Sequence, residues 1–219
     1  MYPRRHRQAP HAAVRSAGDR LTSGRGRDDP PVDRADYLGY TPDTESRRLI
    51  AHGLPKELPE TLGGRHRFTP LSLHVGARLA AAAFARLDGV GLFWLDVWLL
   101  SPRRGRWQLR TGSTTPADPG DEEVLRPRPA ADVLHGHAPA GRGSRFNASR
   151  VPWLRRPFRW AAYGILRLSA EVGSVRIDAR DVVVPEHGLQ ALAWWPAREG
   201  MEALLLDHNG RPLSSVALR

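Results

Sequence analysis

The sequence contains no cysteine among its 219 residues. Disulfides, thiolate nucleophiles, iron–sulfur ligands and cysteine-type zinc sites are therefore all excluded. Lysine is almost missing too, because Lys56 is the only one among 33 basic residues, and it lies in LPKEL rather than in a Gly-Lys-Ser/Thr phosphate loop. Gly-x-Ser-x-Gly, His-Glu-x-x-His and calcium-loop spacings are also absent. These absences argue against the common hydrolases, although a site assembled from distant residues stays open.

Long apolar runs are missing as well. The most apolar stretch, 75–100, is interrupted by four charged residues. A membrane-spanning helix needs about 20 nearly uninterrupted apolar residues. No apolar segment follows the basic start MYPRRHRQ, so a secretory signal is not expected. We therefore predict no transmembrane segment and a cytoplasmic location.

The positive charge is unevenly spread. The formal net charge is +10, and residues 101–170 carry 13 basic and 5 acidic residues, whereas 171–219 carry 5 and 7. Arg, Ala, Gly and Pro share GC-rich codons, so a high-GC genome explains much of the arginine excess and polyanion binding a smaller part. Residues 1–35 show no apolar periodicity. We read them as a disordered basic arm in front of a β-rich domain at 36–219.

Two segments have helical features. Thr41–Gly53 starts with a capping residue and Pro42, and Gly53 is a suitable left-handed stop, so a short N-terminal helix is expected. Ala77–Leu87 is rich in alanine and lacks β-branched residues, so propensity favours a second helix there. A β fold can override that preference, because propensity is a weak determinant.

Strand patterns dominate the remainder. Leu71, Leu73 and Val75 alternate on one predicted face, and Leu92–Leu100 with Arg106–Arg110 forms a predicted hairpin. Residues 112–150 read mostly as loop, and two small units joined there are the alternative to one domain. Further strands are expected at Trp160–Val172, Val175–Asp178, Val182–Val184, Leu189–Trp195, Ala203–Leu206 and Leu213–Leu218, with an Asn209–Gly210 turn before the last. This spacing predicts a mainly β fold, most simply an antiparallel sandwich.

One C-terminal stretch suggests a family. The features are Val175-Arg176-Ile177, the turn Pro185–Gly188, Ala193-Trp194-Trp195-Pro196, and Leu206-Asp207 before Asn209-Gly210-Arg211. With these, residues 171–218 resemble the C-terminal immunoglobulin-like β-sandwich of uncharacterised high-GC, actinobacterial-type bacterial proteins. The resemblance implies an immunoglobulin-like fold and a binding or scaffolding role with no assigned chemistry.

The segment RVPWLRRPFRWAAY, at 150–163, interleaves arginines with aromatic residues. Arginine pairs with phosphates and carboxylates, and aromatic rings stack on bases or on apolar surface. The alternative is that the aromatic rings enter the core while the arginines stay in solvent. The candidate binding residues are Arg150, Trp153, Arg155, Arg156, Arg159 and Trp160.

Two histidines form a candidate metal site. His135 and His137 are two residues apart, and Asp132 is close enough in sequence to add a carboxylate. The acidic run at 118–123 suits a hard cation, but such a run is also typical of a solvated turn. A metal-dependent or hydrolytic enzyme with its site at 118–147 is therefore the alternative function. The favoured function is a non-enzymatic interaction module without a cofactor, which binds a protein or, as a second option, a nucleic acid or other polyanion.

Overall fold

The computed structural model describes residues 39–63, 66–116, 125–138, 142–147, 160–197 and 200–218. These residues belong to a compact unit that spans Asp33–Arg219. They form a mainly β fold of one helix and eleven strands with antiparallel pairing, which confirms the predicted fold class. The elements are α1 (Pro42–His52), β1 (Phe68–Val75), β2 (Ala80–Leu87), β3 (Phe93–Arg103), β4 (Arg106–Pro116), β5 (Arg142–Asn147), β6 (Trp160–Arg167), β7 (Ser174–Ile177), β8 (Arg180–Val183), β9 (Leu189–Trp194), β10 (Glu202–Leu206) and β11 (Pro212–Ala217).

The strands form three sheets among the described residues. The first has the order β1-β2-β3-β4, the second β5-β6-β9, and the third β11-β10-β7-β8. One face of the first sheet packs on the second through residues such as Ala83, Val97, Tyr163 and Ala191. The opposite face of β6 and β9 packs on the third sheet, so β6 and β9 are covered on both sides.

The helix covers the outer face of the first sheet. Leu49 packs there with Tyr40 and Phe84. The predicted helix is confirmed, and it ends at Gly53, whose φ is 77° and whose amide donates to the Leu49 carbonyl at 2.8 Å. Thr41 stands at the N-cap position but makes no side-chain capping bond. Among the described residues, no helix is long and apolar enough to cross a bilayer.

The alanine-rich segment is a strand, so the prediction of a second helix is wrong. Ala80 to Ala85 are all buried, because β2 lies inside the first sheet with other layers on both of its faces. Small side chains allow those layers to approach closely, and tertiary packing overrides the helix preference of alanine.

Two further predictions need correction. Leu71 does not share a face with Leu73 and Val75, because the register shifts between Pro70 and Ser72, whereas Leu73 and Val75 pair with Ala82 and Ala80 on one face as predicted. Leu71 therefore packs towards the second sheet, Leu73 packs on the helix side, and Val75 is exposed. The segment at 112–150 is less loop-like than predicted, since β4 continues to Pro116 and β5 lies within it. The predicted hairpin and the C-terminal strands are present.

Candidate anion-binding cleft

The free edge of β9 is capped by side chains of β1. In the second sheet β9 pairs only with β6, so the amides on its other side need partners. The Ala191 N–H donates to Ser72 Oγ at 2.8 Å, and the Ala193 N–H donates to His74 Nδ1 at 3.0 Å. Ser72 and His74 are both buried. These two bonds tie the edge of the first sheet to the edge of the second.

A second histidine continues the same cap. The Leu189 N–H donates to His187 Nδ1 at 3.1 Å, so the proton of the neutral imidazole is on Nε2. That Nε2–H donates to the Leu71 carbonyl at 2.8 Å. Burial is the main cause that lowers the pKa of His187 below its ordinary value. Both ring nitrogens are used, which gives this histidine a structural role.

His74 differs because one of its ring nitrogens stays available. Since Nδ1 accepts from Ala193, the proton of the neutral ring is on Nε2. No hydrogen-bond partner for Nε2 is present among the described residues. Burial, with a smaller effect from the charge of Arg180, lowers the pKa of His74 to about 4. Near neutral pH the ring is therefore uncharged, and its free polar atom is an N–H donor.

His74 lines a cleft of about 340 Å³ where the three sheet edges meet. The lining comes from the β1–β2 turn, from the β7–β8 turn and from the end of β9. Leu79, Ile177 and Trp195 are the large apolar residues of its lining. The full lining is His74, Gly76, Ala77, Arg78, Leu79, Ile177, Asp178, Arg180, Ala193 and Trp195.

The charged groups of the cleft are two arginines and one aspartate. Arg78 lies in the β1–β2 turn and Arg180 at the start of β8, and both are exposed. Neither forms an ion pair with any acidic side chain that the structure describes. Asp178 is also exposed and equally free of an ion pair within the described residues. The cleft therefore has a net charge of about +1 at neutral pH.

The β7–β8 turn is strained. Ile177 pairs with Arg180, so Asp178 and Ala179 form a two-residue hairpin loop. Their φ angles are 48° and 60°, which is the left-handed region that this type of turn requires at both positions. Alanine is rare there, and the conformation costs about 1 kcal/mol or more relative to glycine. The turn places Asp178 and Arg180 at the mouth of the cleft.

The cleft lies within a larger basic surface. Ala80 pairs with both Val75 and Leu100, so the β1–β2 and β3–β4 turns project from the same end of the first sheet. The β7–β8 turn reaches this end too, since Asp178 and Gly76 line the same cleft. We call this surface the basic end. It comprises the exposed residues Arg78, Arg103, Arg104, Arg106 and Arg180.

The turns at the opposite strand ends carry acidic residues. Asp88 follows β2, Glu186 lies between β8 and β9, and Asp207 lies between β10 and β11. Asp207 is engaged locally, because its Oδ1 accepts the amides of Asn209 and Arg211. Each of these acidic residues has an arginine nearby: the Arg67 side chain donates to the Asp88 carbonyl, the Arg128 amide donates to the Glu186 carbonyl, and Arg211 lies in the same turn as Asp207.

The candidate binding segment ends in the second sheet, because its last four residues belong to β6. Asn147 at the end of β5 pairs with Trp160 at the start of β6. Trp160 is half-buried, and its carbonyl accepts the amide of Ala197 at 2.7 Å, two residues beyond Trp195 of the cleft. Trp160 thus lies beside the basic end. Arg150, Trp153, Arg155, Arg156 and Arg159 lie outside the described residues.

The two histidines of the predicted metal site differ in environment. His135 is exposed, whereas His137 is half-buried with Nδ1 3.2 Å from Ser169 Oγ. Nowhere in the described ranges do three His, Asp or Glu side chains gather in a metal-binding arrangement. The acidic run at 118–123 lies outside those ranges, so the metal site and the enzyme alternative at 118–147 stay predictions.

Sequence reasoning missed the cleft. His74 occupies an ordinary position in a predicted strand, and Arg78 and Arg180 are 102 positions apart. A buried polar residue between apolar neighbours, Leu73 and Val75, was the available signal. Comparison of the chain with protein-family models, curated proteins and solved structures finds no match.

Proposed function

We propose that the protein is a non-enzymatic interaction module whose basic end binds the acidic surface of a partner protein. The observation that supports this proposal is the set of exposed arginines that separate turns bring together at one end of the strands. Like charges repel, so such a group persists at low cost only in solvent or against an anionic partner.

The arginine–aromatic segment extends the same surface in this proposal. It contains four arginines and no acidic residue, and Trp160 anchors its C-terminal side next to the cleft. Arginine with neighbouring aromatic rings is typical of the centre of protein interfaces. The residues proposed to contact the partner are Arg150, Trp153, Arg155, Arg156, Arg159 and Trp160.

A protein partner fits the basic end better than a nucleic acid. Asp178 lines the cleft together with Arg78 and Arg180. A continuous phosphate backbone would be repelled there, whereas a protein surface can place a basic or neutral group opposite this carboxylate. The remaining arginine excess has a compositional origin in the GC-rich codons.

Binding of poly-L-glutamate to the full chain tests the proposal. We expect measurable affinity that falls as salt rises from about 50 to about 300 mM, because exposed ion pairs are screened. The double variant R155A/R156A should bind several-fold more weakly, since each lost charge contact is worth about 0.5–1 kcal/mol. The control R48A/R211A removes two exposed arginines outside the basic end.

Three outcomes would count against the proposal. Poly-L-glutamate that does not bind at low salt would contradict it, and so would an equal loss of affinity in both double variants. Duplex or single-stranded DNA that binds far more tightly than poly-L-glutamate, with a steep salt dependence, would favour a nucleic-acid partner.

Three finer features are part of the same proposal. We infer a cytoplasmic location as the default for such a module, and a bacterial source of high-GC type from the codon bias of the composition. We also infer an immunoglobulin-like arrangement for residues 171–218 from the turn and core motifs of that stretch. The antiparallel pairing of β7 with β8 and of β10 with β11 is consistent with it.

A further inference from the structure

The cleft combines a fixed neutral donor with two exposed positive charges. His74 is held by Ala193 and has Nε2–H as its remaining polar group, while Arg78 and Arg180 line the same cleft from the β1–β2 turn and the start of β8. A rigid N–H donor with two guanidinium groups is a typical arrangement for an anion with two or three acceptor oxygens.

The net charge of the cleft selects among anions. Two arginines and Asp178 leave about one positive charge, which balances a monoanion but not a phosphate dianion. Asp178 would also repel a second negative charge near the mouth. The apolar walls around Trp195 suit an apolar or aromatic group attached to the anion.

We propose that this cleft binds a single carboxylate group, with His74 and the two arginines on its oxygens and Trp195 against the attached apolar group. The inference rests on the proposed function, because it names the chemical group of the partner that the basic end takes up. The carboxylate is either the C-terminus of the partner chain or a glutamate side chain on its surface.

The test uses N-acetylphenylalanine as the probe and its uncharged amide as the matched control ligand, followed by amide NMR of the full chain. We expect the Ala193 amide and the Trp195 indole signals to shift with the acid and not with the amide. N-acetylglutamic acid α-amide distinguishes a side-chain carboxylate from a C-terminal one. Phenyl phosphate tests the preference for a monoanion.

Point variants distinguish binding in the cleft from binding at the rest of the basic end. R180A should weaken N-acetylphenylalanine binding about tenfold, as expected for a hydrogen bond to a charged group. H74N keeps an acceptor for Ala193 at the position of Nδ1 but removes Nε2–H, and we expect a few-fold loss. R211A, far from the cleft, should bind like the unaltered chain.

The inference is overturned if the acid causes no shift at Ala193, if R180A binds as tightly as R211A, or if phenyl phosphate binds more tightly than either carboxylate. Failure here is distinguishable from failure of the proposed function. Poly-L-glutamate that still binds the chain in an R155A/R156A-sensitive manner would leave the interaction module intact and remove the carboxylate cleft alone.

Discussion

The imidazole of His74 accepts the backbone amide of Ala193 at 3.0 Å, and this bond joins two sheets at their edges. The bond requires an unprotonated Nδ1. Protonation of His74 breaks this bond, so the effect of pH on stability reports on the packing of the first sheet against the second.

Acid should weaken the fold in a defined pH range. The folded pKa of His74 is about 4 and its ordinary value is 6.5, so between these values the unfolded chain binds a proton that the folded chain does not. The contribution of His74 to the free energy of unfolding should be at its maximum above pH 6.5. It should fall towards pH 4 by a total on the order of 3 kcal/mol. His187, with a lowered pKa, acts in the same direction.

Urea unfolding at several pH values measures this effect. H74N keeps an acceptor for the Ala193 amide but cannot titrate. Its free energy of unfolding should therefore change less between pH 6.5 and 4 than that of the unaltered chain. The carboxyl groups are the same in both proteins and affect both equally. If the free energy of unfolding changed with pH in the same way for both proteins, the pKa of His74 would not be lowered by folding.

Gly112 is required by the indole of Trp98. The two residues pair across β3 and β4, and a Cβ at position 112 would collide with the six-membered ring of Trp98. The same indole donates to the Tyr40 hydroxyl at 2.7 Å. G112A should cost about 1–3 kcal/mol through overpacking and shift the indole N–H resonance of Trp98. G89A, where a Cβ meets nothing, is the control; equal stability of the two variants would contradict this packing.

Replacement of only one partner of the Arg86–Asp96 ion pair should lower the stability of the fold strongly. Arg86 Nε lies 3.0 Å from Asp96 Oδ2, and Asp96 is completely buried. D96L leaves the largely buried guanidinium without its partner, and we expect a loss of about 3–5 kcal/mol. R86M/D96L should recover most of the free energy of unfolding that D96L loses, which chemical denaturation can measure. A double variant no more stable than D96L would show that packing, not charge, dominates there.

Ala179 offers a stabilising change. Its φ of 60° favours glycine, so A179G should stabilise the folded state by about 0.5–1 kcal/mol after the entropic cost of glycine in the unfolded chain. G200A, at a φ of 74°, is the reciprocal control and should destabilise. A thermal melt of both variants checks the prediction, and a lower midpoint for A179G would mean that the β7–β8 turn is not of this type.

Local patterns predicted much of the fold. The hairpin of β3 and β4 and the C-terminal strands have period-two alternation or turn residues between them, and these signals are contained in a few neighbouring positions. The alanine-rich strand could not be predicted in this way. Its conformation depends on layers that cover both of its faces, and those layers come from distant parts of the chain.

The candidate site was less accessible to prediction. The binding role predicted for Trp160 stays a prediction, and the structure shows only that its carbonyl accepts the amide of Ala197, two residues beyond Trp195 of the cleft. His74, Arg78 and Arg180 meet only because three sheet edges converge, and nothing in their local sequence indicates that convergence. The bulge near Leu71, which moves that side chain to the opposite face, is equally invisible in the alternation of apolar residues.

The most direct test of the account is a map of poly-L-glutamate binding by amide NMR of the isotope-labelled full chain. We predict that signals of Arg78, Arg103, Arg106 and Arg180 shift or broaden on addition of the polymer at low salt, while those of Asp207 and Asn209 at the opposite end stay unchanged. Equal effects at both ends, or none at the basic end, would contradict the account.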